Sequence, residues 1–318
     1  MKFELRRRIE LNFGKVLALA YHRKRPQVAV GTRDGGLLVV DVTTGEVCER
    51  LKGYTDLVSA VAYSEDGEFL LSAGKDRTLR LWQTSDYEFV RDLAGIIKKP
   101  TERTLRGQMM TSSVQGHTQT PLSVAWGAEG YLGSGGQDCL VKLWRIDAPL
   151  RSFDWHGGPV TRVAFRPGTT ELFSASRDGT IRSWRAETGA MIHKYLGHRD
   201  EIEDMVFLDD GRFVSGDLNG RLLSWVVGQE EPDYEIVTWP SAVRCLVSSA
   251  DGAHVFVGVD SGEIVAFDRR KRRRKPAEPV FELEAHELAV RALALSPDGK
   301  MLVSGGNDTT LRVFELQA

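Results

Sequence analysis

The 318-residue chain is short of most features that announce chemistry by themselves. It has three cysteines, Cys48, Cys139 and Cys245, an odd number scattered along the chain. That argues against a disulfide framework and fits a reducing, cytoplasmic compartment. Neither sign of charge dominates, since 42 Lys and Arg face 44 Asp and Glu. No global field therefore drives the protein onto nucleic acid or anionic lipid, and such a partner has to be met locally. No stretch approaches the ~18 apolar residues of a membrane span. The opening MKFELRRRIELNF has no apolar segment after its charges, so it is not read as a signal peptide.

The ligand patterns of a metal centre are also missing. There is no Cys-x-x-Cys, no His-x-x-x-His and no Asp-rich calcium loop. The glycine-rich GYLGSGGQD lacks a following Lys-Ser or Lys-Thr and enters a strand, so it is no phosphate cradle. Asn307-Asp308-Thr309 matches a glycosylation sequon but lies in a repeat turn, and is read as structural. No cofactor is expected.

What the chain does have is one pattern, seven times over. A loop residue, usually His, precedes an aromatic residue or Val by 27 or 28 positions, with a turn residue, usually Asp, six positions before the latter. The triplets are Asn12/Asp34/Val40, Tyr54/Asp76/Trp82, His117/Asp138/Trp144, His156/Asp178/Trp184, His198/Asn219/Trp225, Trp239/Ser261/Phe267 and His286/Asp308/Phe314. A period of roughly 40 residues signals a propeller or an array. Each unit contains four short apolar or alternating runs; in the fourth these are Val160 to Phe165, Glu171 to Ala175, Thr180 to Trp184 and Met191 to Tyr195. Pro167-Gly168, Asp178-Gly179 and Thr188-Gly189 supply the turns between them. A lone four-stranded sheet cannot bury both faces, whereas seven packed radially can. The expectation is an all-β, seven-bladed propeller of four-stranded antiparallel blades, forming one domain over residues 1–318.

The segments GHRDEIEDMVFLDDGRFVSGDLNGRLLSW, SPDGKMLVSGGNDTTLRVF, SASRDGTIRSW and SAGKDRTLRLW resemble the tryptophan-aspartate (WD) repeat family. The resemblance covers nearly the whole chain and implies a blade-stabilising network of loop His, second-strand Ser, turn Asp and third-strand Trp. It carries over fully to His117, Ser134, Asp138 and Trp144, and to His156, Ser174, Asp178 and Trp184. Unit two puts Tyr54 beside Ser72, Asp76 and Trp82; unit five puts Asn219 beside His198, Ser215 and Trp225; unit seven has Phe314 beside His286, Ser304 and Asp308. The first and sixth units lack most of the set and are expected to be softer. The literal Trp-Asp dipeptide is absent, because Gln83, Arg145, Arg185 and Val226 follow the four repeat tryptophans.

The recurrence argues against catalysis. Ser, His and Asp repeat at fixed spacing in several units, whereas an enzyme needs one asymmetric constellation. No catalytic residue is therefore assigned, and a propeller enzyme is the least favoured of three readings. The first is a non-catalytic protein-protein interaction scaffold or adaptor, a single copy within a hetero-complex. The second is a regulatory subunit of a nucleic-acid-modifying or processing complex.

Partner contacts are sought where the repeat is broken on the rim formed by the inter-blade loops and the turns between second and third strands. Before the turn residue these positions hold Arg33, Lys75, Gln137, Arg177, Leu218, Asp260 and Asn307. At the start of the innermost strands stand Lys15, Leu57, Glu201, Glu203, Arg244 and Arg291. The set is mostly basic with an acidic sector on blade five, and matches a protein or peptide carrying acidic residues.

Two insertions break the rhythm. Trp82 and Trp144 are 62 residues apart, and the surplus, residues 96–114, carries Lys98, Lys99, Arg103 and Arg106 with Ile96, Ile97, Met109 and Met110. It is expected to fold over the partner-binding rim. The second, residues 269–280, opens on Arg269, Arg270, Lys271, Arg272, Arg273, Arg274 and Lys275. Such a run is a nucleic-acid patch, a nuclear-import address or a solvated linker. Without an interleaved aromatic it offers phosphate attraction but no stacking platform, so any nucleic-acid contact is non-specific.

The seventh unit ends after its third strand, and Lys2 to Ile9 has strand character. This segment is expected to complete the last blade and remove an open edge. Deleting residues 1–10 should lower the melting temperature sharply, and an unchanged melting curve would refute the closure.

Overall fold

The structure is a computed structural model and describes residues 3–93, 116–146, 148–208, 211–269 and 277–317. Its strands form seven separate four-stranded antiparallel sheets. Each sheet's inner strand packs on the inner strands of the preceding and following sheets, so the ring is the seven-bladed propeller expected from the repeat. Blade four comprises Val160–Phe165, Glu171–Ser176, Thr180–Arg185 and Met191–Leu196, within one residue of the pattern reading at every end.

The seventh sheet has the order Phe3–Glu10, Thr310–Leu316, Met301–Gly306, Val290–Leu295. The first strand of the chain thus pairs antiparallel with the last, Phe3 opposite Leu316 and Glu10 opposite Thr310. Phe3 is buried against Phe256 and Phe281 of blade six. The ring is closed as expected.

Blade-to-blade packing follows one rule. The inner strands begin with a β-branched residue in six blades, at Val16, Val58, Val160, Ile202, Val243 and Val290, and all six are fully buried. Five of them fill a hole left by a glycine on the second strand of the preceding blade. A Cβ on Gly305 would lie 2.3 Å from Val16 Cγ1, on Gly135 2.4 Å from Val160 Cγ1, and on Gly216 2.5 Å from Val243 Cγ1. Gly31 against Val58 and Gly258 against Val290 leave similarly little room. Ala73 and Ala175 hold the corresponding second-strand positions in the other two blades.

Polar ties between inner strands reinforce five of the seven junctions. Ser59 Oγ donates to the Pro121 carbonyl, Val163 N donates to Ser123 Oγ at 3.0 Å, and Thr161 Oγ1 donates to the Ile202 carbonyl at 2.7 Å. Leu246 N donates to Asp204 Oδ2 at 2.7 Å, and Cys245 Sγ faces the Val290 carbonyl at 3.7 Å. At the two junctions flanking blade one the equivalent positions are Arg291, Ala292, Leu17 and Ala18.

Blades one and six lack the polar network but are not hollow. Val30 and Val40 stand where other blades have Ser and Trp, and both lie in a cluster with Val28, Leu38 and Val313. Val257 and Phe267 do the same in blade six with Val265 and Val243. Apolar packing occupies the place of the missing ties.

The glycine holes generate a test. Gly305→Ala should cost about 1–3 kcal/mol by overpacking in urea unfolding, and a Val16→Ala second change should recover part of that loss. Additive losses in the double variant would show that the two side chains do not compete for one space.

Candidate functional site

The repeat histidines form closely similar buried networks. In blade three His117 Nδ1 lies 2.9 Å from Asp138 Oδ1, His117 Nε2 lies 2.8 Å from Ser134 Oγ, and Trp144 Nε1–H donates to the same Oγ at 2.9 Å. In blade four His156 Nδ1 is 2.9 Å from Asp178 Oδ2, His156 Nε2 is 2.8 Å from Ser174 Oγ, and Trp184 Nε1–H donates to that Oγ at 2.9 Å. Blade seven repeats the His286, Asp308 and Ser304 part without a donor ring, since Phe314 replaces Trp. One proton assignment satisfies every partner: Nδ1–H donates to the carboxylate and the serine hydroxyl donates to Nε2.

The order Ser, His, Asp is that of a nucleophilic triad, but access decides against it. Ser134, Ser174, Ser215 and Ser304 are all 0 % exposed, and where a Trp is present its N–H also occupies the serine oxygen. No substrate carbonyl reaches these oxygens, so the networks are structural.

Their electrostatics support that role. Burial pushes the carboxyls of Asp138, Asp178 and Asp308 up, but the hydrogen bonds and charge of their histidines outweigh it and hold all three below the usual range. Burial pushes His156 and His286 below 6.5, against the smaller upward pull of their aspartates. Histidines depressed in the folded state bind fewer protons than in the unfolded chain. Their contribution is therefore whole above about pH 6.5 and is lost as the pH falls.

Two blades solve the same problem differently. In blade two Tyr54 replaces His and its hydroxyl meets Ser72 Oγ at 2.9 Å, while Trp82 Nε1–H donates to Ser72 at 2.8 Å. Arg80 lies 4.0 Å over the Tyr54 ring and pairs with Asp76 at 2.7 Å, linking the turn carboxylate to the blade through a cation. Burial raises Tyr54 to about 12, so the phenol stays neutral.

Blade five corrects the sequence reading. Asn219 is not the network partner of His198: Asp217, two residues earlier, accepts from His198 Nδ1 at 2.7 Å, and the Ser215 hydroxyl donates to Nε2 at 2.6 Å. Asp217 also accepts the backbone N–H of Asn219 at 3.0 Å, while the Asn219 side chain turns out to Asp200 at 2.6 Å. The signal was present, because Asp217 ends its strand where the other networked blades have Gly74, Gly136, Ser176 and Gly306.

Away from these networks, the residues that break the repeat gather around the central channel. A cavity of about 570 Å³ is lined by Lys15, Arg33, Leu57, Lys75, Gln137, Arg177, Glu203, Arg244, Arg291 and Asn307 of the expected rim set. Arg162 and Asp204 line it too, and these two were missed because they lie one position deeper on their strands. Glu201 and Asp260 sit beside the mouth as ion-pair partners of its arginines, and Leu218 is tied by its N–H to the Glu201 carbonyl at 3.0 Å.

The mouth is less uniformly basic than its composition suggested. Arg177 pairs with Glu203 at 3.0 Å and Glu201 at 3.4 Å, and Arg244 pairs with Asp260 at 2.8 Å and Glu203 at 3.6 Å. Arg162 meets the buried Asp204 at 3.1 Å, and Lys75 meets Asp56 at 3.0 Å. The basic and acidic residues of blades four to six are thus largely spent on one another.

Of the two insertions, residues 94–115 and Arg270 to Lys275 lie outside the described residues. Arg269 opens the second loop against the blade, with its Nε donating to Gly252 O and its carbonyl accepting from the Tyr234 hydroxyl at 3.2 Å. Asp233, on the neighbouring blade-five turn, pairs with Arg212. Among the described residues no cluster of three or more His, Cys, Asp or Glu is placed to hold a metal, and no helix is long and apolar enough to cross a membrane.

Comparison with known proteins agrees with this anatomy. The model of the WD domain, G-beta repeat, matches residues 45–83, 108–145, 147–185 and 277–315. A U3 snoRNP-associated protein-like protein of Arabidopsis thaliana is 31% identical over 346 residues, covering 86% of this chain and 69% of its own. The target of rapamycin complex subunit wat1 of Schizosaccharomyces pombe is 24% identical, with 78% and 74% covered, and a maize guanine nucleotide-binding protein subunit beta is 25% identical, with 97% and 82% covered.

The blade-five correction is open to test. Asp217→Ala should cost about 3 kcal/mol in equilibrium unfolding by stranding a buried histidine, whereas Asn219→Ala should stay within about 1 kcal/mol. Equal losses would return the network role to Asn219.

Proposed function

This chain belongs to the WD40-repeat family, and from that premise we propose that it is a non-catalytic scaffold that holds partner proteins on the faces of a rigid ring. The observation that carries this reading is the division of its polar residues. Those that repeat from blade to blade are buried in structural networks, while those that differ between blades line the channel mouth. A surface unconstrained by the blade is free to be specific for a partner. The names of the relatives, subunits of a target of rapamycin complex and of a guanine nucleotide-binding protein among them, support work inside a hetero-complex. Acidic segments are the partner chemistry we favour, in a cytoplasmic setting.

A second reading has its own support in the relative named as U3 snoRNP-associated and in the basic run that begins at Arg269. It makes the chain a regulatory subunit of a nucleic-acid-processing complex, with phosphate contacts that weaken as salt rises.

Affinity capture from native lysate separates the two. Wild type, an Arg33→Glu/Arg291→Glu variant and an opposite-rim Glu65→Lys/Glu88→Lys variant are compared with and without nuclease, after circular dichroism has shown that each is folded. Nuclease-resistant partners lost only from the first variant are the expected result. Partners lost from wild type on nuclease treatment would favour the second reading instead.

A further inference from the structure

Seven Lys and Arg side chains line the channel mouth: Lys15, Arg33, Lys75, Arg162, Arg177, Arg244 and Arg291. Four of them are engaged by five carboxylates, Asp56, Glu201, Glu203, Asp204 and Asp260. The other three, Lys15, Arg33 and Arg291, have no acidic partner within ion-pairing distance among the described residues. They are neighbours in the ring, because Lys15 and Arg33 belong to blade one and Arg291 to blade seven. The backbone fixes two of them together, since Arg33 N donates to the Lys15 carbonyl at 2.9 Å.

Asp34 follows Arg33 directly and its carboxylate packs against Gly14, beside Lys15, where a Cβ would lie 2.4 Å from Oδ2, but it forms no ion pair with any of the three. Asn307 of blade seven adds a side-chain amide to the same arc of the cavity wall. Unpaired cations at adjacent blades repel one another, and a bound anion relieves that repulsion.

The three unpaired cations set the kind of anion. Lys15, Arg33 and Arg291 line one arc of the cavity and none of them is in an ion pair, whereas the other four cations of the lining are each paired with a carboxylate. A phosphate monoester carries about −1.5 to −2 at neutral pH and offers three acceptor oxygens. Two guanidinium forks and an ammonium supply matching donors. We propose that the arc of Lys15, Arg33 and Arg291 is a binding site for a phosphate monoester dianion, borne by a phosphorylated partner side chain or by a small phosphorylated metabolite. The proposal rests on reading the channel mouth as the ligand-bearing face, and it adds the chemistry that face selects.

Titration with inorganic phosphate, followed by 31P NMR and calorimetry at fixed ionic strength, tests it on the full chain. Two variants that each remove two positive charges from the mouth are compared: Arg33→Gln/Arg291→Gln, which strips the unpaired arc, and Arg177→Gln/Arg244→Gln, which strips the paired one. The expected result is saturable one-to-one binding, weakened at least tenfold by the first pair and less than twofold by the second. Equal weakening by both would reveal a diffuse field with no site and overturn the proposal, as would failure of wild type to saturate. A phosphoserine peptide and its unphosphorylated counterpart, titrated in parallel, identify the source: tighter binding than inorganic phosphate, lost without the phosphoryl group, indicates a partner side chain. Equal binding of the free ion indicates a small ligand. Partners captured through Arg33 and Arg291 in a protein that ignores phosphate would leave the scaffold reading intact and sink this one.

Discussion

The ring depends on a fit between a side chain and its absence. A β-branched residue opens six of the inner strands, and most of these project into the gap above a glycine of the blade before. The arrangement sets how closely neighbouring sheets approach, and so the angle through which each blade is turned from the last. Because the contact is local to one junction, small errors do not average out: a ring of seven closes only if all seven junctions are right. Closely packed interiors make such contacts sensitive to a single methyl group.

Inside each blade a second device holds the outer strands to the inner ones, and it tolerates far more variation. Histidine, tyrosine with a stacked arginine, and plain apolar packing all serve. The tolerance is physical: a blade needs its second and third strands joined and its buried polar groups satisfied, and several residue sets meet both conditions. The polar network can therefore drift between blades while the second-strand position stays small, Gly in five blades and Ala in two. The channel mouth lies outside both constraints, which is why its residues differ from blade to blade.

The fold was legible because its signals are short-ranged and repeated. Asp178-Gly179 and Thr188-Gly189 mark turns without any knowledge of the rest of the chain, and the strands between them followed to within a residue. Asp217 escaped because the repeat register assigned the polar role to the turn, and a carboxylate at the strand end reaches the same histidine from two residues away. Most of the rim residues line one cavity, but their ion pairing was not legible in the sequence. Arg177 meets Glu201 and Glu203 only once blade five stands beside blade four, and Arg244 meets Asp260 only across its own folded sheet. Sequence gives the inventory of charges, while pairing is a property of the closed ring.

The pairing of Phe3–Glu10 with Thr310–Leu316 also imposes an order in time. A ribosome makes the outer strand of the seventh blade first and its partner last, and at ~5–20 residues per second the interval is on the order of 15–60 s. Throughout it the nascent chain trails an unpaired strand that displays Leu5, which remains half-exposed even in the finished molecule. Arg6, Arg7 and Arg8 stand in the middle of that strand, and a run of charge is what keeps a waiting edge from pairing with the wrong chain. The same arginines then secure the finished ring, Arg6 to Glu315 in the strand it was waiting for and Arg7 to the Thr43 carbonyl of blade one.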